Sequence, residues 1–240
     1  AWTIQQKEGR NTLDPAIAAT VTTRWLAQAD PSSRQGLLDA CTLRQFVDGE
    51  MIYGFEQEQR CLWGVVSGSI RMFVAMSEHD PKLAHCAGPG FWFGEIPVIT
   101  GGTRAMQAVA SGPVRLCSVD RSVVVNIATK SPDVWRSVAT LSVLNQMIVM
   151  ASAEDLMMRA PRKRLVATLL RMAGWRHGFQ GALPITTVPI TQLELAEASS
   201  LSRSSAAVIL KDLGGRGLVK AEYRYITILD APALKELLAA

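Results

Sequence analysis

Two side chains of opposite charge flank a glycine bend in the stretch GEIPVITGGTRA, residues 94 to 105. Glu95 and Arg104 stand nine positions apart, and apolar residues and a Gly-Gly-Thr turn lie between them. A carboxylate and a guanidinium in such a bend either form an ion pair with each other or bind a ligand. The stretch is therefore interpreted in two ways, as a surface turn with an incidental ion pair or as a cradle for a small anionic ligand.

Other reactive constellations are missing from the sequence. The four cysteines are spaced 20 to 31 residues apart without a CxxC motif or a Cys/His cluster, so we expect no zinc or iron–sulfur site. The three histidines stand outside any nucleophile motif. We interpret the adjacent His85 and Cys86 as part of a strand whose thiol packs inward. The sequence predicts neither metal ligands nor catalytic residues, and we expect that the protein is not an enzyme.

Length and composition are those of an ordinary globular protein. The chain has 240 residues, of which 48% are hydrophobic and 19% are charged, which suits one large or two modest domains. The sequence has no run of eighteen uncharged apolar residues, and the first residues lack a secretion signal pattern. The longest apolar patch, residues 142 to 153, is interrupted by Asn145, Gln146 and Ser152. We therefore expect a cytoplasmic protein that does not enter a membrane.

The first part of the chain changes from a helical to a strand-like pattern. Two short helices are predicted between residues 24 and 40. From residue 42 to residue 122, short runs of β-branched and aromatic residues alternate with clusters of Gly, Pro or Asp every eight to twelve residues. That spacing predicts an antiparallel sandwich or barrel, and Gly68 falls at one of its turns.

A long helix is predicted after the strands. Ser131 is predicted to cap it and Pro132 to occupy its first position, and it extends to about residue 159. Its apolar residues recur at spacings of three and four, as in a coiled coil, and further apolar residues widen the stripe beyond one face. Such a helix needs two neighbours, which we infer to be the β-domain and a second copy of the chain. The alternative is a helix buried within one monomer.

Charge is distributed unevenly between the two ends of the chain. Residues 1 to 158 carry 13 Lys and Arg against 15 Asp and Glu, whereas residues 159 to 240 carry 12 against 6. The second part is therefore strongly basic. This asymmetry predicts that the C-terminal part binds a polyanion.

The basic part contains the pattern of two helices and a wing. Thr191 and Glu194 form a T-x-x-E capping box at the start of the first helix, and Ser202 caps the second after a short turn. The pattern predicts a helix-turn-helix whose second helix enters a major groove; the alternative is a mere packing unit. The residues predicted to contact DNA are Thr191, Gln192, Ser202, Arg203, Ser204, Ser205 and Lys211.

The order of these parts resembles the bacterial cyclic-AMP receptor protein/FNR family of transcription regulators. The similarity covers nearly the whole chain from about Trp25. It rests on segments in the family's order, namely FVDGEMIYGF, LWGVVSGSIRMF, PGFWFGEIPVITGGTRA, SPDVW and ITQLELAEASSLSRSSAAVILKDL. The resemblance implies an α+β fold. Residues 1–130 would form N-terminal helices and an antiparallel, jelly-roll-like β-roll of the cyclic-nucleotide-binding type. Residues 131–160 would form a dimerisation helix and hinge, and residues 161–240 a winged helix-turn-helix.

The resemblance also implies a function. It indicates a homodimeric regulator that binds double-stranded DNA, with a small effector in the β-roll and RNA polymerase as a further partner. Residues 94 to 105 correspond to the family's phosphate-binding cassette for a cyclic nucleotide such as cyclic AMP. In that cassette Arg104 would bind the cyclic phosphate, and Glu95 would accept a hydrogen bond from the ribose 2′-hydroxyl. The effector-binding residues implied in this way are Gly94, Glu95, Ile96, Arg104, Ala105, Val149 and Met150.

Two departures from the family pattern leave the effector and the operator open. Cyclic-AMP-responsive members offer a Thr-Ser pair to the adenine, where this chain has Val149 and Met150, so the base meets an apolar cap or a different effector binds. On the recognition helix Ser204 and Val208 replace a Glu and an Arg, which predicts a target site unlike the usual family palindrome. The alternatives are a cassette kept for its shape, another small effector, a haem sensor, and a ligand-binding module that regulates a protein partner and carries a vestigial helix-turn-helix.

Overall fold

The computed structural model describes residues 13–75, 80–177 and 183–239. The helices of the first part are α1 (Pro15–Val21), α2 (Arg24–Ala27), α3 (Pro31–Asp39), α4 (Glu95–Thr100), α5 (Arg121–Ala128) and α6 (Val134–Met157). Its strands are β1 (Thr42–Phe46), β2 (Met51–Tyr53), β3 (Cys61–Val74), β4 (Lys82–Ala87), β5 (Trp92–Phe93) and β6 (Gln107–Asp120). The second part consists of α7 (Pro161–Met172), β7 (Thr187–Val188), α8 (Gln192–Ala198), α9 (Arg203–Gly215), β8 (Val219–Ala221), β9 (Ile226–Ile228) and α10 (Ala231–Ala239). The predicted order of β-roll, long helix and winged helix-turn-helix is confirmed.

Two long antiparallel strands, β3 and β6, form the spine of the β-roll. Strands β1 and β2 pair with β6, and β4 and β5 pair with β3. The pairing of β3 with β6 changes register between Val65 and Ser69, and such bulges bend a sheet. Gly68 lies at this bend with φ +83°, and a Cβ atom there would lie 2.4 Å from the carbonyl oxygen of Pro113. The predicted turn at Gly68 is therefore wrong: Gly68 lies at a bulge inside the continuous strand β3. The position still requires glycine for two reasons, its dihedral angle and its lack of a side chain.

Two apolar cores lie on the two sides of β3. One fills the inside of the roll around Trp63, and the other lies between the roll and the flanking helices. In the second core the rings of Trp25 and Trp92 meet edge to face, with centroids 5.3 Å apart. The indole Nε1 of Trp92 donates to the carbonyl oxygen of Val21 at 2.7 Å. These contacts hold the N-terminal helices and α6 against the roll.

Helix α6 begins three residues later than Ser131, so the prediction that Ser131 caps it is wrong. The N-cap is Asp133, and the hydroxyl of Ser131 donates instead to Oδ2 of Asp30 at 3.1 Å. By length and composition α6 is the one described helix that meets the criteria for a membrane span. Core helices of soluble proteins meet the same criteria, and Val138 and Leu141 of α6 pack into the protein core.

The second part is a compact winged helix-turn-helix. Both predicted helix caps are confirmed: Thr191 and Glu194 form a reciprocal capping box at α8, and the Ser202 hydroxyl accepts from the backbone N–H of Ser205 at 3.1 Å. Strands β7, β9 and β8 form a small antiparallel sheet that supplies the wing. Helix α10, which the sequence analysis did not predict, packs against α7 and buries Leu234.

The winged domain is docked on the β-roll. Leu83 and Cys86 of β4 belong to the same apolar core as the winged domain. The Cys86 thiol lies 3.9 Å from the carbonyl oxygen of Pro189. Cys86 is therefore buried as expected, but by the second domain, so the prediction that the thiol packs into the roll is wrong.

Candidate functional site

A cavity of about 350 Å³ lies between the β-roll and α6. The roll lines it with aromatic and aliphatic side chains, and α6 lines it with Ser142, Asn145, Gln146, Ile148 and Val149. These residues share one face of α6 because side chains three and four positions apart in a helix point the same way. The spacing was available from the sequence as a signal for Ser142, Asn145 and Gln146, which the sequence analysis missed.

The short helix α4 closes one end of the cavity. Gly94 precedes it with φ +89°, a left-handed conformation that favours glycine. A Cβ atom on Gly94 would lie 2.4 Å from Nη1 of Arg104 and 2.7 Å from the carbonyl oxygen of Cys61. Gly94 therefore makes room for the Arg104 side chain. Of the other residues predicted here, Ile96 and Ala105 also line the cavity.

The guanidinium of Arg104 is held by the protein itself. Arg104 is 3% exposed, and it donates from Nη2 to the carbonyl oxygen of Cys61 at 2.9 Å and from Nη1 to that of Gly94 at 3.2 Å. The guanidinium carbon lies 4.2 Å from the centroid of the Tyr53 ring, a cation–π distance. An anionic ligand must therefore compete with two carbonyl oxygens for this side chain, a condition that the sequence does not reveal.

Glu95 is also buried, with 5% of its surface exposed. Burial raises the pKa of its carboxyl group, and hydrogen bonds from the backbone and from the side chain of Asn145, together with the charge of Arg104, oppose this rise. Glu95 and Arg104 thus face a common interior. Of the two interpretations of the opening stretch, the incidental surface ion pair is wrong, because both side chains are inside.

His85, on strand β4, also lines the cavity. Burial and the positive charge of Arg171 lower the pKa of His85 to about 3, so the imidazole is neutral. Its Nδ1 has no hydrogen-bond partner among the described residues, and its ring lies 5.4 Å from that of Phe91. His85 pairs with Met72 across β3 and β4, and both side chains line the cavity. Neither residue is among the seven that were predicted to bind the effector.

The two apolar residues predicted to face a nucleotide base differ in position. Val149 lines the cavity although 65% of its surface is exposed, whereas Met150, 64% exposed, does not line it. The apolar cap expected at this place therefore comes from Val149 and its neighbour Ile148. Met150 points to another side of α6 and is available for a different contact.

The second predicted site is the exposed face of α9. Ala206, Ile209, Leu210 and Leu213 are buried in the winged domain. The opposite face is exposed and carries Ser202, Arg203, Ser204, Ser205, Val208 and Lys211. Val208 on this face is 70% exposed.

The start of α8 has a more structural role than predicted. The Thr191 hydroxyl donates to Oε2 of Glu194 at 2.8 Å and accepts from the Glu194 backbone N–H at 3.1 Å. Gln192 beside it is exposed. The side chain of Thr191 is thus occupied by the helix cap, whereas that of Gln192 is open to a partner.

Models of two known domain families match the parts of the sequence that contain these two sites. The cyclic nucleotide-binding domain matches residues 43–131, and the Crp-like helix-turn-helix domain matches residues 163–237. The chain belongs to the cyclic-AMP receptor protein/FNR family of transcription regulators. Members of this family are DNA-binding regulators and not enzymes, as the sequence analysis predicted. The Crp-like domain implies that this family member binds DNA.

Named relatives of this Crp-type chain cover most of its length. It is 24% identical over 207 residues to the CRP-like cAMP-activated global transcriptional regulator of Mycobacterium tuberculosis, covering 85% of this chain and 92% of the relative. It is 24% identical over 194 residues to the cyclic AMP receptor protein of Thermus thermophilus, covering 81% and 87%. The solved structure of FixK2 from Bradyrhizobium japonicum has a TM-score of 0.66 at 19% identity, covers 83% of this chain and 98% of that one, and shows a common fold.

Proposed function

We propose that this family member is a homodimeric regulator whose affinity for DNA is set by a small effector in the cavity between the β-roll and α6. The observation that carries the proposal is the shared lining of this cavity. Arg104 and Glu95 belong to the roll, whereas Asn145 and Val149 belong to α6. An occupant contacts the sensor domain and the helix that leads to the DNA-binding domain at the same time. A ligand that binds one arrangement of these parts more tightly shifts the protein toward it.

The dimer contact is proposed to lie along α6. Apolar side chains on its outer surface are exposed in the single chain, namely Val143, Val149, Met150, Leu156 and Met157. An exposed apolar stripe on a helix of 24 residues is typical of a surface that another protein covers. We propose that this stripe is covered by α6 of a second copy of the chain. A regulator of a two-fold DNA site is a dimer, because its two recognition helices must reach half-sites roughly 34 Å apart. We place the dimer in the cytoplasm, with RNA polymerase as a further partner.

Two connections link the cavity to the DNA-binding domain. On strands β3 and β4, Met72 and His85 face the cavity, while their neighbours Arg71 and Cys86 contact the winged domain. At the end of α6, the fully buried Asp155 accepts from Nε of Arg171 on α7 at 2.8 Å. A shift of the strand pair or of α6 therefore displaces contacts that hold the winged domain, which carries the recognition helix α9.

A cyclic nucleotide is the first candidate effector. The buried Glu95 and Arg104 and the N-terminal end of α4 supply the groups that a ribose cyclic phosphate needs. Binding in this mode requires Arg104 to exchange the carbonyl oxygens of Cys61 and Gly94 for phosphate oxygens. A charge-assisted bond to phosphate is stronger than one to a carbonyl, and this difference favours the exchange.

A predominantly apolar effector is the second candidate. The side chains of Met72, Phe91, Phe93, Met106 and Ile148 line the cavity, and Val149 stands where a base-binding hydroxyl would be expected. Such a lining favours an aromatic or aliphatic ligand that leaves Arg104 in its present contacts.

Calorimetric titration separates the two candidates. Cyclic AMP and cyclic GMP are titrated into the full chain, into Arg104→Ala, and into Arg115→Ala, whose arginine lies exposed on β6. Micromolar binding that Arg104→Ala abolishes and Arg115→Ala preserves supports the cyclic nucleotide. In a parallel titration, the chain is added to the neutral probe N-phenyl-1-naphthylamine. A rise in the fluorescence of the probe that cyclic nucleotide does not reverse supports the apolar ligand. If no ligand binds, and DNA affinity is the same with and without each of them, the effector proposal fails.

A further inference from the structure

Two cysteine side chains meet where the N-terminal helices join the β-roll. The Sγ atoms of Cys41 and Cys117 lie 3.0 Å apart, close enough for one thiol to donate to the other. Cys41 follows α3 and directly precedes β1, whereas Cys117 lies in β6, where it pairs with Leu43 of β1. A disulfide bond of about 2 Å requires the two sulfur atoms to approach by about 1 Å.

The two thiols differ in their access to solvent. Cys41 is half-buried, and Cys117 is completely buried in the core beside Trp25 and Leu62. A small oxidant that arrives from solvent therefore meets Cys41 first, with the second thiol directly behind it.

The other two cysteines have different surroundings. Cys61 and Cys86 are buried as well, but their sulfur atoms contact a guanidinium nitrogen of Arg104 at 3.6 Å and the carbonyl oxygen of Pro189 at 3.9 Å, respectively. All four cysteines lie in the described residues, and Cys41 and Cys117 are the two whose thiols contact each other.

We propose that Cys41 and Cys117 form a modification site at which a hydroperoxide converts two thiols into a disulfide. In the first step the Cys41 sulfur takes the terminal oxygen of the peroxide, the O–O bond breaks, and water or an alcohol leaves. In the second step the Cys117 sulfur attacks the sulfenic sulfur of Cys41, and the departing hydroxide takes the Cys117 proton and leaves as water. The two thiols lose two electrons in total, and the peroxide is reduced by the same two.

The order of the two steps follows from the site. The hydrogen bond with Cys41 and burial both raise the pKa of the Cys117 thiol. The thiolate is the form that reacts with peroxide, so the buried Cys117 is the poorer first target. Cys41 is therefore the residue that is oxidised, and Cys117 is the residue that resolves the sulfenic acid.

The new bond would fix the N-terminal helices to the sheet. It closes a loop that contains β1 to β5, α4 and the β-roll side of the cavity, and closing so long a loop restricts the unfolded chain. The same helices contact the base of α6, because Oδ2 of Asp30 at the start of α3 accepts from the Ser131 hydroxyl at 3.1 Å. Oxidation is thus expected to stabilise the sensor domain and to restrain the N-terminal end of α6.

Mass spectrometry of the full chain tests the proposal. The reduced protein is treated with hydrogen peroxide, then alkylated with iodoacetamide and digested. We expect a mass loss of two hydrogen atoms, a cross-linked peptide pair containing Cys41 and Cys117, full reversal by dithiothreitol, and a higher midpoint of thermal unfolding in the oxidised form. Cys41→Ser should abolish the cross-link, and Cys61→Ser and Cys86→Ser should preserve it.

The wild-type digest alone is decisive, so the test does not depend on whether a variant folds. A cross-link that involves Cys61 or Cys86, a disulfide between two chains, or irreversible sulfinic acid at Cys41 with free Cys117 would each overturn the proposal. Equal unfolding midpoints for the oxidised and reduced forms would overturn the inferred restraint.

Discussion

Arg71 of β3 forms an ion pair with Glu194 of α8 across the junction between the β-roll and the winged domain. The other carboxylate oxygen of Glu194 accepts from the backbone N–H of Thr191 at 2.9 Å and from its hydroxyl at 2.8 Å. One carboxylate therefore caps the first helix of the helix-turn-helix and joins that helix to the effector domain. Since Met72, the next residue on β3, lines the cavity, the junction lies one residue from the cavity lining.

Replacement of Arg71 tests this junction. Arg71→Ala leaves the capping box intact and removes the contact between domains, whose side chains are 19% and 25% exposed. We expect a loss of about 1 kcal/mol in the free energy of unfolding, since partly exposed ion pairs contribute little, and faster hydrogen exchange in α8 and β4. Lys82→Ala is the matched control, because its pair with Glu197 at 3.1 Å is more exposed. Equal hydrogen exchange in the two variants would contradict the special role of Arg71.

The second junction should be much more sensitive. Asp155 is fully buried at the end of α6, and it pairs with Arg171 and Arg176, which are also mostly buried. Asp155→Asn removes the carboxylate that pairs with Arg171 and leaves Arg176 with only the more distant Glu154 at 3.8 Å. Removal of one partner from a buried pair typically costs about 3–5 kcal/mol. Urea unfolding measures the loss. The neighbouring Glu154→Gln, whose side chain is 59% exposed, should change stability by less than about 1 kcal/mol.

Features set by neighbouring residues were predictable from the sequence. The capping box of Thr191 and Glu194 and the Ser202 cap involve groups three positions apart, so their spacing alone specifies the hydrogen bonds. The apolar pattern also identified α6, because periodicity reflects which faces are buried.

Features set by distant residues were not predictable. Ser131 has the residue type and position of an N-cap, but its hydroxyl binds Asp30, which is 101 positions away. Likewise, nothing near Arg104 in the sequence indicates that the carbonyl oxygen of Cys61 holds its guanidinium. The place of His85 in the cavity was not predicted, because it depends on how β4 pairs with β3. Tertiary contacts decide these details, and local patterns do not record them.

The two glycines that flank α4 provide a matched pair of variants. Both have positive φ, +89° for Gly94 and +73° for Gly101, and each alanine pays about 1–2 kcal/mol for that conformation. A Cβ at Gly101 meets nothing within 4 Å, whereas one at Gly94 lies 2.4 Å from Nη1 of Arg104. Overpacking adds about 1–3 kcal/mol, so Gly94→Ala should cost about 2–5 kcal/mol and Gly101→Ala about 1–2. Urea unfolding curves that coincide for the two variants would show that Arg104 is not held against Gly94.

His85 should make stability depend on pH. Its pKa is about 3 in the folded protein against 6.5 for an ordinary histidine, so the unfolded chain binds the extra proton between these values. Stability from this group is complete above pH 6.5 and decreases as pH falls toward 3, because protonation then favours unfolding. Between pH 7 and pH 5 the expected loss is about 2 kcal/mol. Urea unfolding measures the free energy of unfolding of the wild type and of His85→Leu at each pH. The contributions of the other titrating groups cancel in the difference between the two. A difference that does not change with pH would contradict a neutral, buried His85.

The recognition helix α9 should bind a different DNA sequence from that of family members that have Glu and Arg at the positions of Ser204 and Val208. Val208 is 70% exposed on the face of α9 that carries Arg203 and Lys211. A valine offers no hydrogen bond to guanine, but it makes an apolar contact with the C5-methyl group of thymine. We expect duplexes selected from a random pool to carry guanine opposite Arg203 and thymine opposite Val208. Tight binding to the usual family palindrome would contradict this expectation.

Removal of one methyl group provides the sharpest test of Val208. Deoxyuridine in place of the selected thymine deletes only the C5-methyl group, and we expect a loss of about 1 kcal/mol in binding free energy, roughly fivefold in affinity, for the wild type. Val208→Ala should bind both duplexes nearly equally. By contrast, Arg203→Ala should lose about 1–3 kcal/mol and relax the preference for guanine, while Lys211→Ala should weaken binding to all sequences and reduce the salt dependence by about one phosphate contact. Fluorescence anisotropy at several salt concentrations measures all four effects. A methyl effect that persists in Val208→Ala would assign the thymine contact to another residue.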